Sequence, residues 1–76
     1  MNTAPFPDEL VEAQTAWYVT YRQLADASSA HGTAGRRRRL QELSRRIAGH
    51  PYWQTPAGTP AARMALKEIA QTAAKL

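Results

Sequence analysis

Residues 8–30, DELVEAQTAWYVTYRQLADASSA, decide the fold. At about 100° per residue, Leu10, Trp17, Tyr21 and Leu24 fall on one face, with Val11, Tyr18 and Ala25 along its border. Opposite them lie Glu12, Thr15, Val19, Arg22 and Asp26. The period holds for about five turns, long enough to outweigh the β-branched and aromatic residues that singly favour strand. The stretch therefore reads as an amphipathic helix with an aromatic stripe, expected to be mostly core. The stripe is wide enough to serve two neighbours: both later helices, or one of them and a second copy of the chain. Asp8, Glu9 and Glu12 fall in its first turns, where carboxylates meet free N–H groups and the positive end of the helix dipole.

Beyond this helix, SSAHGTAG (residues 28–35) is a run of small residues with two glycines. Gly32 suits a left-handed helix end and Thr33 a helix cap. His31 would sit near the negative end of the first helix. So short a connection predicts an antiparallel helical hairpin. Its second arm is a helix over 34–48, with Leu40, Leu43 and Ile47 as a narrow apolar stripe and Arg36 on the same line one turn earlier. Gly49, His50 and Pro51 stop it, because the residue before proline avoids the α region and glycine can take the position after the cap.

Tyr52 and Trp53 then stand in a connection that continues as QTPAGTP. Two aromatics are costly to leave in water, so they are expected to plug the open end of the hairpin or to join a contact surface. Thr59 followed by Pro60 is a cap and first-position signal for a third helix over 60–75. Ala62, Ala65, Leu66, Ile69, Ala73 and Leu76 share its apolar face, and Lys67, Gln71 and Lys75 the other. Upstream, residues 1–7 hold two prolines and no period, and are expected to form a flexible N-terminal arm anchored only by Phe6. The expected architecture is all-α: a helical hairpin with a third C-terminal helix packed across or beside it, in one three-helix domain over 8–76.

Seventy-six residues suffice for one domain near the lower size limit for folding without staples. No cysteine is present to supply one, and fifteen of the apolar residues are alanine, so the core is lean. Such a chain commonly finds the missing burial in an oligomer or a partner. The start, MNTAPFPDEL, lacks the basic and apolar regions of a secretory signal. Apolar runs fall far short of the ~20 residues that cross a bilayer. A soluble, cytoplasmic protein is expected.

Charge is uneven along the chain. RRRRLQELSRRIAGH (residues 36–50) carries Arg36, Arg37, Arg38, Arg39, Arg45 and Arg46 against Glu42 alone, a balance of +5 within a total of +4. The first 35 residues sum to −3. Glu42 lies three or four residues from Arg38, Arg39, Arg45 and Arg46 and can pair with any of them, but one acid cannot neutralise four bases. Three readings follow for the cluster: a solvated face, a row that follows nucleic-acid phosphates, or a face that docks on an acidic protein surface. Arg38 and Arg45, and likewise Arg39 and Arg46, repeat at about 10 Å along a helix, a spacing able to track phosphates. Six arginines in eleven residues exceed what solubility requires, although a GC-rich coding sequence would raise arginine whatever the function.

Other chemistries have little footing. The connection between the second and third helices is too long for the 3–4-residue turn of a helix-turn-helix. A basic membrane-surface helix would need Leu40, Leu43 and Ile47, which the hairpin itself requires. His31 and His50 are the two histidines, too few for a metal site without recruited acids. Ser28, Ser29 and His31 lack an orienting acid, and no phosphate-cradling glycine loop is present. The leading expectation is a small non-enzymatic interaction protein, adaptor or regulator, without cofactor, metal or small-molecule substrate. It would present the arginine helix and a patch drawn from Trp17, Tyr18, Tyr21, Tyr52 and Trp53 to a protein partner or a second copy. A nucleic-acid-binding accessory protein and an oligomerising structural subunit are the alternatives.

Overall fold

A computed structural model describes residues 6–26 and 33–75. Three α-helices account for most of them: α1 (Asp8–Ala25), α2 (Thr33–Ala48) and α3 (Pro60–Ala74), with a single 3-10 turn at Pro51–Gln54 between α2 and α3. No strand occurs among the described residues, so the fold is all-α as the periodicity predicts.

The first helix is the organising element. Both α2 and α3 pack along α1, while α2 and α3 meet each other little. The molecule is accordingly long and thin, 43 × 25 × 19 Å, with a Cα radius of gyration of 13.4 Å. A compact chain of this length would measure about 11 Å. Its surface of 5460 Å² likewise exceeds the roughly 4600 Å² usual for its mass.

Local signals explain the helix ends. Asp8 and Glu9 stand in the first turn of α1, and the Pro7 carbonyl accepts from the amides of Leu10 and Val11. The helix ends at Ala25, earlier than the expected residue 30, with Asp26 as its cap. The small-residue connection, with Ser28, Ser29, His31 and Gly32, lies outside the described residues. Thr33, expected as a cap, is instead the first residue of α2.

At the other end of α2, Gly49 donates to the Arg45 carbonyl at 2.9 Å without left-handed backbone. His50 then caps a new element that the periodicity did not predict. Its Nδ1 accepts from the Tyr52 amide at 3.1 Å, and Pro51 occupies the first position of the 3-10 turn. The third helix starts as its sequence dictates: the Thr59 hydroxyl accepts from the Ala62 amide at 3.1 Å, and Pro60 stands at the first helical position.

The core is small and lies at one end. Phe6, Leu10 and Leu66 are buried together, with Val11, Ile47, Tyr52, Trp53, Ala62, Ala65 and Ile69 packed around them. Phe6 joins this core and meets the Tyr52 ring at 5.3 Å between centroids, so the anchor of the N-terminal arm is an integral part of the fold. Residues 1–5 lie outside the described residues. Farther along, Leu43 of α2 is fully buried, and Ala70 and Ala74 of α3 are buried, small residues that permit close helix approach.

One expectation about α1 needs correction. Tyr21, placed on the apolar face, is 53% exposed, whereas Ala13, Gln14 and Thr20 are buried. The reason is that α1 is covered on two flanks. Thr20 and Ala13 turn to one flank and Gln14 to the other, while Tyr21, seven residues after Gln14 on nearly the same line, stands toward the far end of α1 from the core, where α3 offers Gln71 and Lys75. Arg22 is exposed, as its place opposite the stripe implies, and also reaches the end of α3, where its Nη1 donates to the Ala74 carbonyl at 3.0 Å. A cation there satisfies a free carbonyl and meets the negative end of the helix dipole.

Candidate functional site

On α2 one face is seated and the rest is bare. Leu43 is buried and Leu40 and Ile47 are half-buried, while Arg37, Arg38, Arg39, Arg45 and Arg46 are all exposed. Arg36, one turn before Leu40 on the packed line, is half-buried. Arg38 and Arg45 point directly away from the stripe, Arg39 and Arg46 run along one flank, and Arg37 lies on the other with Gln41 and Ser44. Among the described residues none of these guanidinium groups has a carboxylate within ion-pairing distance, Glu42 included. Elsewhere, His50 Nε2 and Glu9 Oε2 lie 3.6 Å apart. The arginine cluster is thus a cationic arc around the outer side of α2, with Glu42 between the Arg38/Arg45 and Arg39/Arg46 rows.

The five aromatics singled out in the sequence divide into two groups. Trp17, Tyr18 and Tyr21 cluster on α1: Tyr21 stacks on the Trp17 ring at 5.3 Å and 6°, and Tyr18 meets its edge at 5.2 Å and 84°. Tyr52 and Trp53 pack edge to face at 5.3 Å and close the end of the molecule with Phe6. Their indoles are anchored to the same helix: Trp17 Nε1 donates to Ser44 Oγ at 2.8 Å, and Trp53 Nε1 donates to the Ile47 carbonyl at 2.6 Å.

A groove of about 270 Å³ joins the two groups. Gln14, Trp17 and Tyr18 of α1 form its floor, and Trp53 closes one end. Ser44, Ile47 and Ala48 of α2 form one wall, with Arg63, Leu66 and Lys67 of α3 as the other. Tyr52 does not reach it; it is turned toward Phe6. On the other side of Tyr18 lies a second hollow of about 330 Å³, lined by Tyr18, Tyr21, Arg22, Ala25, Gln71 and Lys75. No carboxylate lines either part among the described residues, whereas Arg22, Arg63, Lys67 and Lys75 do. The Arg63 guanidinium lies over the Trp53 ring, 4.8 Å from its centroid.

Sequence reading missed the two α3 cations and the Gln14 side chain. The available signal was the row Arg63, Lys67, Gln71, Lys75, four residues apart, which places a basic edge along one side of α3. Only the packing of α3 beside Trp17 turns that edge into the rim of an aromatic groove.

Among the described residues no three His, Cys, Asp or Glu side chains gather in a metal-binding arrangement, and no described helix is long and apolar enough to cross a membrane. In comparison with known proteins, residues 9–69 fit the model of a family described as a domain of unknown function (DUF8825), and the chain belongs to that family. No curated protein and no solved structure matches it.

Proposed function

We propose that this member of the family is a small non-enzymatic interaction protein, an adaptor or regulator that engages an anionic macromolecular partner. The observation that carries the reading is the arc of Arg37, Arg38, Arg39, Arg45 and Arg46, exposed on α2 with no carboxylate in ion-pairing reach among the described residues. A surface kept only for solubility mixes both signs of charge. An arc in which five exposed arginines surround a single glutamate, Glu42, instead attracts polyanions from a distance and neutralises them on contact. The aromatic groove beside it supplies apolar contact area of the kind that anchors protein interfaces.

Nucleic acid is the second reading, favoured by the two parallel rows Arg38/Arg45 and Arg39/Arg46. Each row places guanidinium groups about 10 Å apart along a straight helix, and such rows can follow a phosphate backbone without reading bases.

One titration tests both. Labelled poly-glutamate, duplex DNA and single-stranded RNA are titrated by fluorescence anisotropy at low and near-physiological salt. The Arg38→Gln/Arg39→Gln/Arg45→Gln/Arg46→Gln variant is run in parallel. Binding to poly-glutamate that the variant loses supports the acidic-partner reading. Binding to DNA or RNA with a log–log salt slope of several units selects the nucleic-acid reading. Absence of binding to every polyanion at low salt, or equal binding by the variant, returns the arginines to a solvated face and removes the proposal.

A further inference from the structure

We propose that the groove floored by Trp17 and Tyr18 receives one amphipathic helix of a protein partner, its apolar side on the aromatics and its flanks rich in carboxylates. This rests on the interaction reading above and names what its aromatic face receives.

The form of the groove comes first. With α2 and α3 each packed on α1 and little on each other, the α1 surface between them opens past the buried Gln14, where Trp17 and Tyr18 are half-buried and Tyr21 is exposed. The two hollows share Tyr18 and together follow α1 from Gln14 to Ala25. That path is about 17 Å long at 1.5 Å per residue, room for roughly three turns of a helix. An incoming helix would present apolar residues at i, i+3 or i+4, and i+7, the usual pattern of helix-in-groove recognition.

Charge then selects the flanks. Arg22, Arg63, Lys67 and Lys75 line the path and no carboxylate among the described residues opposes them. Acidic flanks on the partner are therefore steered in, and basic flanks repelled. The same charges argue against a second copy in this groove. A two-fold contact places the same patch of both copies face to face, which would set these cations against themselves.

The rings argue against a single nucleic-acid strand. A stacking platform needs open ring faces. Here Tyr21 already covers a face of Trp17, Tyr18 meets its edge, and Arg63 lies over Trp53. Engaged rings of this kind offer edges and aliphatic-sized gaps, which suit Leu, Ile or Met side chains.

The test is a selection followed by titration. A displayed library of sixteen-residue helical peptides is panned against the full chain. The enriched peptides are synthesised and titrated against wild type, Lys67→Glu and Ala48→Trp. Lys67 and Ala48 are exposed groove-lining residues on α3 and α2. The first variant reverses a rim charge and the second fills the groove; circular dichroism checks that each folds, and Lys67→Glu carries the test if Ala48→Trp does not.

Enrichment of helices with apolar residues at the stated spacing and Asp or Glu beside them is expected, with affinity falling at least about tenfold in each variant. It should be unchanged in Gln23→Ala, an exposed change on the side of α1 away from the groove. The proposal is overturned by no enrichment, by enriched peptides without carboxylates, or by affinity indifferent to the folded groove variants. It also fails if oligothymidine displaces the peptide, or if light scattering finds a wild-type dimer that Ala48→Trp dissociates. Polyanion binding that depends on the α2 arginines, together with failure of the peptides, would remove this proposal and leave the function reading standing.

Discussion

Trp17 and Ser44 are 27 residues apart in sequence, yet the Trp17 indole N–H donates to the Ser44 hydroxyl at 2.8 Å and ties the middle of α1 to α2. The bond fixes which edge of the indole faces α2, and hence which part of the ring is left to the groove and to Tyr21.

Replacing Ser44 by alanine should cost about 0.5–1.5 kcal/mol, the usual net value of a hydrogen bond. Urea denaturation followed by far-UV circular dichroism measures it. The indole N–H would then have to find water, so the Trp emission should shift to longer wavelength. An unchanged midpoint and unchanged emission would mean that the bond does not order the ring in solution.

Phe6 is nearly fully buried against Tyr52, Leu10 and Leu66. Phe6→Ala should therefore destabilise the fold by about 3–5 kcal/mol, as in other large-to-small core changes. In so small a core this is a large share of the total, and thermal melts should become broad and early. A loss below about 1 kcal/mol would show that Phe6 is dispensable to the core.

The loop before α3 depends on Gly58 for space. A Cβ there would stand 2.5 Å from the Trp53 Cα and 2.7 Å from the Tyr52 carbonyl oxygen, both backbone atoms that cannot swing aside. Gly58→Ala should cost about 1–3 kcal/mol by forcing the backbone apart. Thr59→Ala, which removes the cap of α3 without adding bulk, should cost about 1 kcal/mol. Equilibrium denaturation of the two variants should rank Gly58→Ala as the more damaging; the reverse order would mean that the loop relaxes easily.

The Arg22 guanidinium caps the last turn of α3 through the Ala74 carbonyl. Arg22→Met keeps most of the side chain's length and removes the donors. It should raise hydrogen exchange in the last turn of α3 at least several-fold, with little change in α1 or α2. Uniform faster exchange across all three helices would instead make Arg22 a determinant of global stability.

Glutamine at positions 38, 39, 45 and 46 should leave helicity and melting temperature close to wild type. Glutamine is a comparable helix former, and none of these arginines has an ion-pair partner among the described residues. Removing like charges on one helix also relieves repulsion. A large fall in ellipticity at 222 nm would show that the cluster supports the fold.

The helices were legible in the sequence because each has a local cause. Period, acidic first turn and the Thr59–Pro60 signal act within a few residues, and the structure has α1, α3 and their N-terminal ends where those signals lie. The exposed arginine arc was legible for the same reason: Leu40, Leu43 and Ile47 fix which side of α2 is seated, and the arginines occupy what is left. The 3-10 turn was not, because its cap is a histidine nitrogen, an acceptor that replaces the usual hydroxyl or carboxylate.

What the sequence determined by itself, then, is the set of three helices, their facing stripes and the charge on α2, all properties of spacing along one chain. What only the tertiary structure decided is which residues meet across it. Thr20 entered the core because two helices flank α1, and Gln14 is buried while Tyr21, one heptad on along the same line, is exposed because the core lies at the other end of α1. Arg63 and Lys67 became the rim of an aromatic groove because α3 lies beside Trp17 and Tyr18. Periodicity gives the direction in which a side chain leaves its own helix; the angle at which the next helix arrives depends on the packing of small residues such as Ala70 and Ala74, and no local pattern encodes it.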